Sequence, residues 1–259
     1  MTRLRHGAAT AVGRVRRVNE DSYLTLPPLY AVADGMGGHG AGDLASALAI
    51  RTLESAARIL PLTPGDVLAA LAEANAAIVA TTAGRAGQDG MGTTITGLAL
   101  IQASGGSHVM VFNVGDSRVY RLVSGGLDQV TVDHSEVEEL VLAGALTREQ
   151  ARTDPRRNVV TRALGTCPAP TPDHWLLPAV ARDRYLICSD GLFNELPQDS
   201  ITRLLAVGDP SQAAAALVAA ADDAGGHDNI TAVVVDVDQV DDEPADEDTT
   251  PRDLLPGQS

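Results

Sequence analysis

Three apolar runs in this chain stop on an aspartate that a small residue follows: AVADG at Asp34, FNVGDS at Asp116 and LICSDG at Asp190. A fourth aspartate, Asp228, opens the last apolar run after the double glycine Gly225-Gly226. One Asp-Gly pair marks an ordinary turn. Four carboxylates at strand ends are different, because like charges gathered there repel unless cations neutralise them. Oxygen donors without a His or Cys cluster select hard ions, Mg²⁺ or Mn²⁺. Two such ions about 3.5–4 Å apart can hold a bridging hydroxide as nucleophile and clamp phosphoryl oxygens. The chemistry on offer is hydrolysis of a phosphate ester.

These aspartates need rigid elements behind them. Leu29 to Val32 has the composition of a buried strand, Gly35, Gly37, Gly38, Gly40 and Gly42 make a turn that a ligand can approach closely, and Ala41 to Ile59 has helical spacing. Asp34 is expected at the tip of that strand. Gly35, Gly37 and Gly40 also spell G-x-G-x-x-G, with Glu54 near the place of a ribose-binding acid. A dinucleotide site is rejected, since Asp34 would set a negative charge beside the pyrophosphate. The helix is moreover followed by a second one, Pro64 to Thr82, not by a parallel strand.

Further along, Thr93 to Ile101, His108 to Val114 and Ser117 to Val123 alternate as strands, with connections too short for parallel crossovers. Asp89-Gly90 reads as a plain turn. Residues 133–165 depart from this pattern: two short helices around Gly144 and an Arg-rich stretch are expected to form a flap over the sheet edge, outside the core. Tyr185 to Ser189 is another strand, Pro197 to Val207 and Pro210 to Ala224 are helices, and Ile230 to Val237 is the last strand. The dense polar cluster Arg16, Arg17, Asn19, Glu20 and Asp21 taken alone describes a strand end with mutual ion pairs.

Composition narrows the function. The 259 residues carry a formal charge of −15, which argues against a nucleic-acid binder. From Asp236 onward nine acids face one arginine, so the end of the chain reads as a solvated, disordered acidic tail. All 19 basic residues are arginine, which removes P-loop, kinase and Schiff-base lysine chemistry and leaves arginine as the phosphate clamp. No apolar run of membrane-spanning length and no secretory leader occur, and Cys167 and Cys188 have no metal spacing. A cytoplasmic protein with reduced cysteines is expected, without membrane or nucleic-acid partners.

The set RRVNED, VADGMGG, GMGTT, VGDSR, the segment from DHS to TRALG, CSDGL and GGHDNIT, in this order, resembles the bacterial branch of the type-2C metal-dependent Ser/Thr protein phosphatases, the PPM family. The likeness covers about residues 6–238. It implies an α+β fold, a four-layer αββα sandwich of two mainly antiparallel sheets flanked by helices. It divides the chain into a phosphatase domain, 1–238, with the flap-like insert at about 133–165, and the acidic tail 239–259. Residue by residue, it makes Asp34 the bridge between two Mn²⁺ or Mg²⁺ ions, Gly35 a ligand through its carbonyl, and Asp190 and Asp228 the completing ligands. Glu20 would hold a metal-bound water, with Asp21 supporting it from behind. Asp116 with Asp190 matches a third, weak metal position, and Arg16 matches the phosphate-binding arginine, with Arg17 the neighbour that could displace it. Metal-bound hydroxide would attack phosphorus in line. Many relatives carry a histidine general acid where this chain has Met36, so the leaving group must be protonated from elsewhere, for which a metal-bound water is the expected source; His39 is nearby in sequence but reads first as a structural helix-start residue.

The implied partners are phosphorylated proteins, substrates of a Ser/Thr kinase, and the implied state is a monomer. Two other readings stand beside this one: a phosphoprotein-binding regulatory module with weak turnover, and a two-metal hydrolase of small phosphate esters.

Overall fold

The computed structural model describes residues 2–37, 41–82, 90–103 and 106–240. His39, Asp89 and the acidic stretch from residue 241 on lie outside the described residues. Eleven strands occur among them in chain order: β1 (Arg3–Ala11), β2 (Asp21–Leu26), β3 (Leu29–Met36), β4 (Gly92–Thr93), β5 (Ile95–Ala103), β6 (Gly106–Val114), β7 (Arg118–Val123), β8 (Gly126–Gln129), β9 (Asp173–Pro178), β10 (Arg184–Cys188) and β11 (Ile230–Gln239). The helices are α1 (Gly42–Ala57), α2 (Pro64–Thr82), α3 (Glu136–Leu142), α4 (Arg148–Thr153), α5 (Asp190–Phe193), α6 (Gln198–Leu205) and α7 (Pro210–Ala224).

One sheet has the order β1-β11-β10-β7-β8, and the other β2-β3-β5-β6-β9 with β4 added to β3. Every pairing is antiparallel. The period of two explains the layering. In β3, Leu29, Ala31 and Ala33 point to α1 and α2, while Tyr30 and Val32 point to the other sheet. In β10, Leu186 and Cys188 meet α5–α7, and Tyr185 and Ile187 meet the facing sheet. Both faces are buried, so these strands read as continuous apolar runs. The result is the expected α+β sandwich of four layers.

Small residues set the spacing of the helix layers. Ala45 and Ala49 let α1 lie close to β3, and Ala213, Ala214 and Ala221 do the same for α7. The start of α7 is fixed by a capping box, in which Asp209 accepts from the Gln212 N–H and Gln212 reaches back to the Asp209 N–H, with Pro210 at the first helical position.

Four strands, β1, β2, β8 and β9, escaped the sequence reading. β8 and β9 are edge strands with one solvated face, β9 alternating half-buried and exposed residues, and β2 begins inside the polar cluster. The segment 133–165 also differs from expectation. It carries α3 and α4 on the outside, but Leu164 is buried in the core beside α2 and pairs with Thr93, because the segment must re-enter the sandwich before β9.

The chain passes between the sheets four times, at β1–β2, β6–β7, β8–β9 and β9–β10. The first three crossings hold Arg16 and Glu20, Asp116, and the 133–165 insert.

Candidate metal centre

Asp34 does not end its strand. Gly35 and Met36 continue it by pairing with Thr93 and Gly92, and across the other side Asp34 stands opposite Asp21. Its backbone is held on both groups: the N–H donates to Thr94 Oγ1 at 3.0 Å, and the carbonyl accepts from the Thr94 N–H at 2.9 Å and from Thr93 Oγ1 at 2.8 Å. Gly35 donates its N–H to the Glu20 carbonyl at 3.2 Å. A Cβ at Gly35 would lie 2.2 Å from the Gly42 carbonyl oxygen, so β3 and the start of α1 can meet only through glycine.

The opposite wall comes from the other sheet. Asp190 opens α5 directly after β10, and Asp228 precedes β11. Ser189 ties the walls together, its hydroxyl donating to Asp21 Oδ2 at 2.8 Å and accepting from the Thr231 N–H at 3.0 Å. Asn229 clasps the β1–β2 loop by both ends: its Nδ2 donates to the carbonyls of Val12 at 2.8 Å and Val18 at 2.9 Å, while its Oδ1 accepts from the Glu20 N–H at 2.9 Å. The loop so held delivers Arg16, whose Nη2 donates to Asp228 Oδ2 at 2.8 Å. Arg17 is exposed on the same loop.

Burial, with mutual repulsion added, raises the carboxyl pKa values. Asp21 and Asp116 are each pushed up to about 7 and Asp190 to about 6, and Asp34 is driven well above the usual carboxylate range with Asp21, Asp190, Asp116 and Asp228 all contributing. Asp34 and Asp190 nonetheless keep part of their surface open to solvent. Among the described residues no three such side chains ring a single point at ligand distance, and Asp228 spends one oxygen on Arg16.

The donor set fits hard divalent cations on two observations. It is made only of oxygen, and Asp21 Oδ1 is buried with no hydrogen-bond partner. Asp34, Asp190, Asp228, Asp116, Asp21 and the Gly35 backbone come together from four separated stretches of sequence.

A pH dependence follows. The unfolded carboxyls titrate near 4, so between about 4 and about 7 the folded state holds more protons than the unfolded chain, and stability falls as pH rises through that window. With chelator present, the melting temperature should be lower at pH 7.5 than at pH 5.5, and Mn²⁺ at pH 7.5 should recover it. Equal melting temperatures at both pH values with chelator would show that these carboxyls carry no such strain.

Thr93, Thr94, Ser189 and Asn229 have supporting roles that the sequence reading did not single out, although all four sit inside motifs already quoted, GMGTT, CSDGL and GGHDNIT. Hydroxyl and carboxamide side chains beside ligand carboxylates were the available signal.

Comparison with known proteins agrees with this geometry. The Ser/Thr protein phosphatase PstP of Mycobacterium tuberculosis is 40% identical over 238 residues, covering 90% of this chain, which spans 45% of that protein's length. The Ser/Thr phosphatase stp of Listeria monocytogenes is 37% identical over 238 residues, covering 87% of this chain and 93% of its own. The catalytic domain of PstP, solved in complex with two manganese ions, superposes with a TM-score of 0.81 at 37% identity, covering 91% of this chain and 99% of that domain. Residues 18–222 match the family model for Protein phosphatase 2C, a span that runs from the arginine loop through both sheets to α7. With the order of its carboxylates, its fold and its relatives in accord, the chain belongs to the protein phosphatase 2C family.

Proposed function

We propose that this chain is a metal-dependent phosphatase acting on phosphoserine and phosphothreonine in proteins. The observation that carries the reading is the meeting of Arg16 with Asp228 at the rim of the carboxylate cluster, which sets an anion clamp beside a cation site. The curated relatives are Ser/Thr protein phosphatases and the PstP domain binds manganese, which supports the same reading.

Asp34, Asp190, Asp228 and the Gly35 carbonyl would hold two Mn²⁺ or Mg²⁺ ions, and Asp116 with Asp190 a third, weaker one. Such ions, when bound, supply Lewis acidity toward the phosphoryl oxygens and lower the pKa of water. Glu20, with its backbone fixed on Asn229, orients that water, and Asp21 supports the ligands from the adjoining strand. Arg16 exchanges Asp228 for the substrate phosphate and holds it by two parallel N–H donors. Met36 has no proton to give, so water protonates the leaving serine or threonine oxygen. The partners are then proteins phosphorylated by a Ser/Thr kinase. No helix of the described residues is long and apolar enough to cross a membrane.

Phosphate release from a phosphothreonine peptide tests the reading: turnover with Mn²⁺, none with chelator, and a lower kcat/KM on nucleotides. Binding of the peptide without turnover would leave a regulatory module, and faster turnover of nucleotides a small-ester hydrolase.

A further inference from the structure

Two polar side chains at the root of the insert, Asp133 and His134, are buried. Asp133 takes three hydrogen bonds from Arg118, whose guanidinium also stacks 3.6 Å from the centre of the Phe193 ring in α5. His134 has no such structural explanation within the core. The Gly115 N–H donates to its Nδ1 at 3.0 Å, so Nδ1 carries the lone pair and the ring proton is on Nε2. Nε2 faces Asp173 Oδ2 at 3.1 Å. Arg162 Nη1, 3.2 Å from Nε2, donates to Asp173 Oδ1 at 3.0 Å, so both donors share one carboxylate. The main chain repeats the grip: the His134 N–H donates to the Gly115 carbonyl at 2.9 Å, and the His134 carbonyl accepts from the Thr161 N–H at 2.8 Å. Gly115 has a φ of 117°, and a Cβ there would strike Thr94 at 2.6 Å. Its peptide has one way to sit, and it sets the direction from which Asp116 enters the centre.

We propose that His134 is a positioning residue for Asp116: its neutral ring, protonated on Nε2, fixes the Gly115 peptide, while Arg162 near the end of the insert and Asp173 at the start of β9 fix the ring. Imidazole suits the place because it accepts on one nitrogen and donates on the other across a rigid frame. The inference rests on Asp116 being a metal ligand, so Asp116→Asn is measured in parallel.

The variants are His134→Asn, whose Oδ1 can take the place of Nδ1 but which loses the reach to Asp173, and His134→Leu, which leaves the Gly115 N–H without its acceptor. Nitrogen NMR of the chelated wild-type protein should show His134 protonated on Nε2. With Mn²⁺, His134→Leu should lower kcat by about 10–100-fold, equally on an aryl phosphate and on a phosphopeptide, with little change in KM, and calorimetry should show loss of a weak Mn²⁺ site with two tighter sites kept. His134→Asn should recover most of that activity. A ring protonated on Nδ1, equal losses in the Asn and Leu variants, or a loss confined to the peptide KM would overturn the proposal. If His134→Leu does not fold, the NMR result and the His134→Asn kinetics decide. Full activity in Asp116→Asn would remove the ligand reading itself, whereas an impaired Asp116→Asn beside unimpaired His134 variants removes only the role of His134.

Discussion

Asp34→Asn should abolish turnover and weaken Mn²⁺ binding in the same variant. Its carboxyl is the one toward which Asp21, Asp190, Asp116 and Asp228 all direct their charge, so it is the shared wall of any cation pair bound there. Replacing one oxygen by an amide turns an acceptor into a donor at that wall. Lewis-acid assistance is worth several kcal/mol, and each 1.4 kcal/mol is tenfold in rate, so a fall of about 10³-fold or more in kcat is expected. The fold should survive, because the bonds from Thr93 and Thr94 go to the Asp34 backbone. Calorimetry giving unchanged two-site Mn²⁺ binding would sink the assignment. Cys188→Ser, on the helix-facing side of β10, should leave metal binding intact.

Arg16→Ala should cost about 10²-fold in kcat/KM on a phosphopeptide, mostly in KM. Hydrogen bonds to a charged group contribute about 1.5–3 kcal/mol each, and a guanidinium can give a phosphate two. Arg16→Lys keeps the charge and loses the fork, so a loss of about tenfold is expected. Arg17→Lys should change little, since both arginines are exposed and it is Arg16 that reaches Asp228. A larger effect at Arg17 than at Arg16 would place the substrate clamp one residue further along.

What could be read from the sequence was what a residue's own neighbours in the chain display, not the distant partners it meets. β3, β10 and β11 were legible because strands buried on both faces are apolar throughout, and Asp34, Asp190 and Asp228 stood out against those apolar runs. α7 was legible from Asp209, Pro210 and its alanines. β9 was not, because Asp173 to Pro178 is half solvated and its register comes from β6, some 60 residues earlier. The candidate ligand carboxylates could be picked out by position alone, and the likeness to the family implied their roles. Leu164 could not be placed in the core, since an Arg-rich segment surrounds it and only its return to Thr93 buries it. Nor could His134 be connected with Gly115 or Asp173, because that contact joins residues 19 and 39 positions apart.

The passage of the chain between the sheets has a consequence for biosynthesis. β1 is an edge strand whose only partner is β11, aligned from Arg3 against Gln239 to Ala11 against Ile230. The Arg16 loop hangs from Asn229, at the head of that same strand. A ribosome adding about 5–20 residues per second will therefore have made Asp34, Asp116 and Asp190 before it supplies Asp228 or the Asn229 that holds the Arg16 loop. The pairing of β11 with β1 is thus the step that brings Arg16 and Asp228 to the other carboxylates.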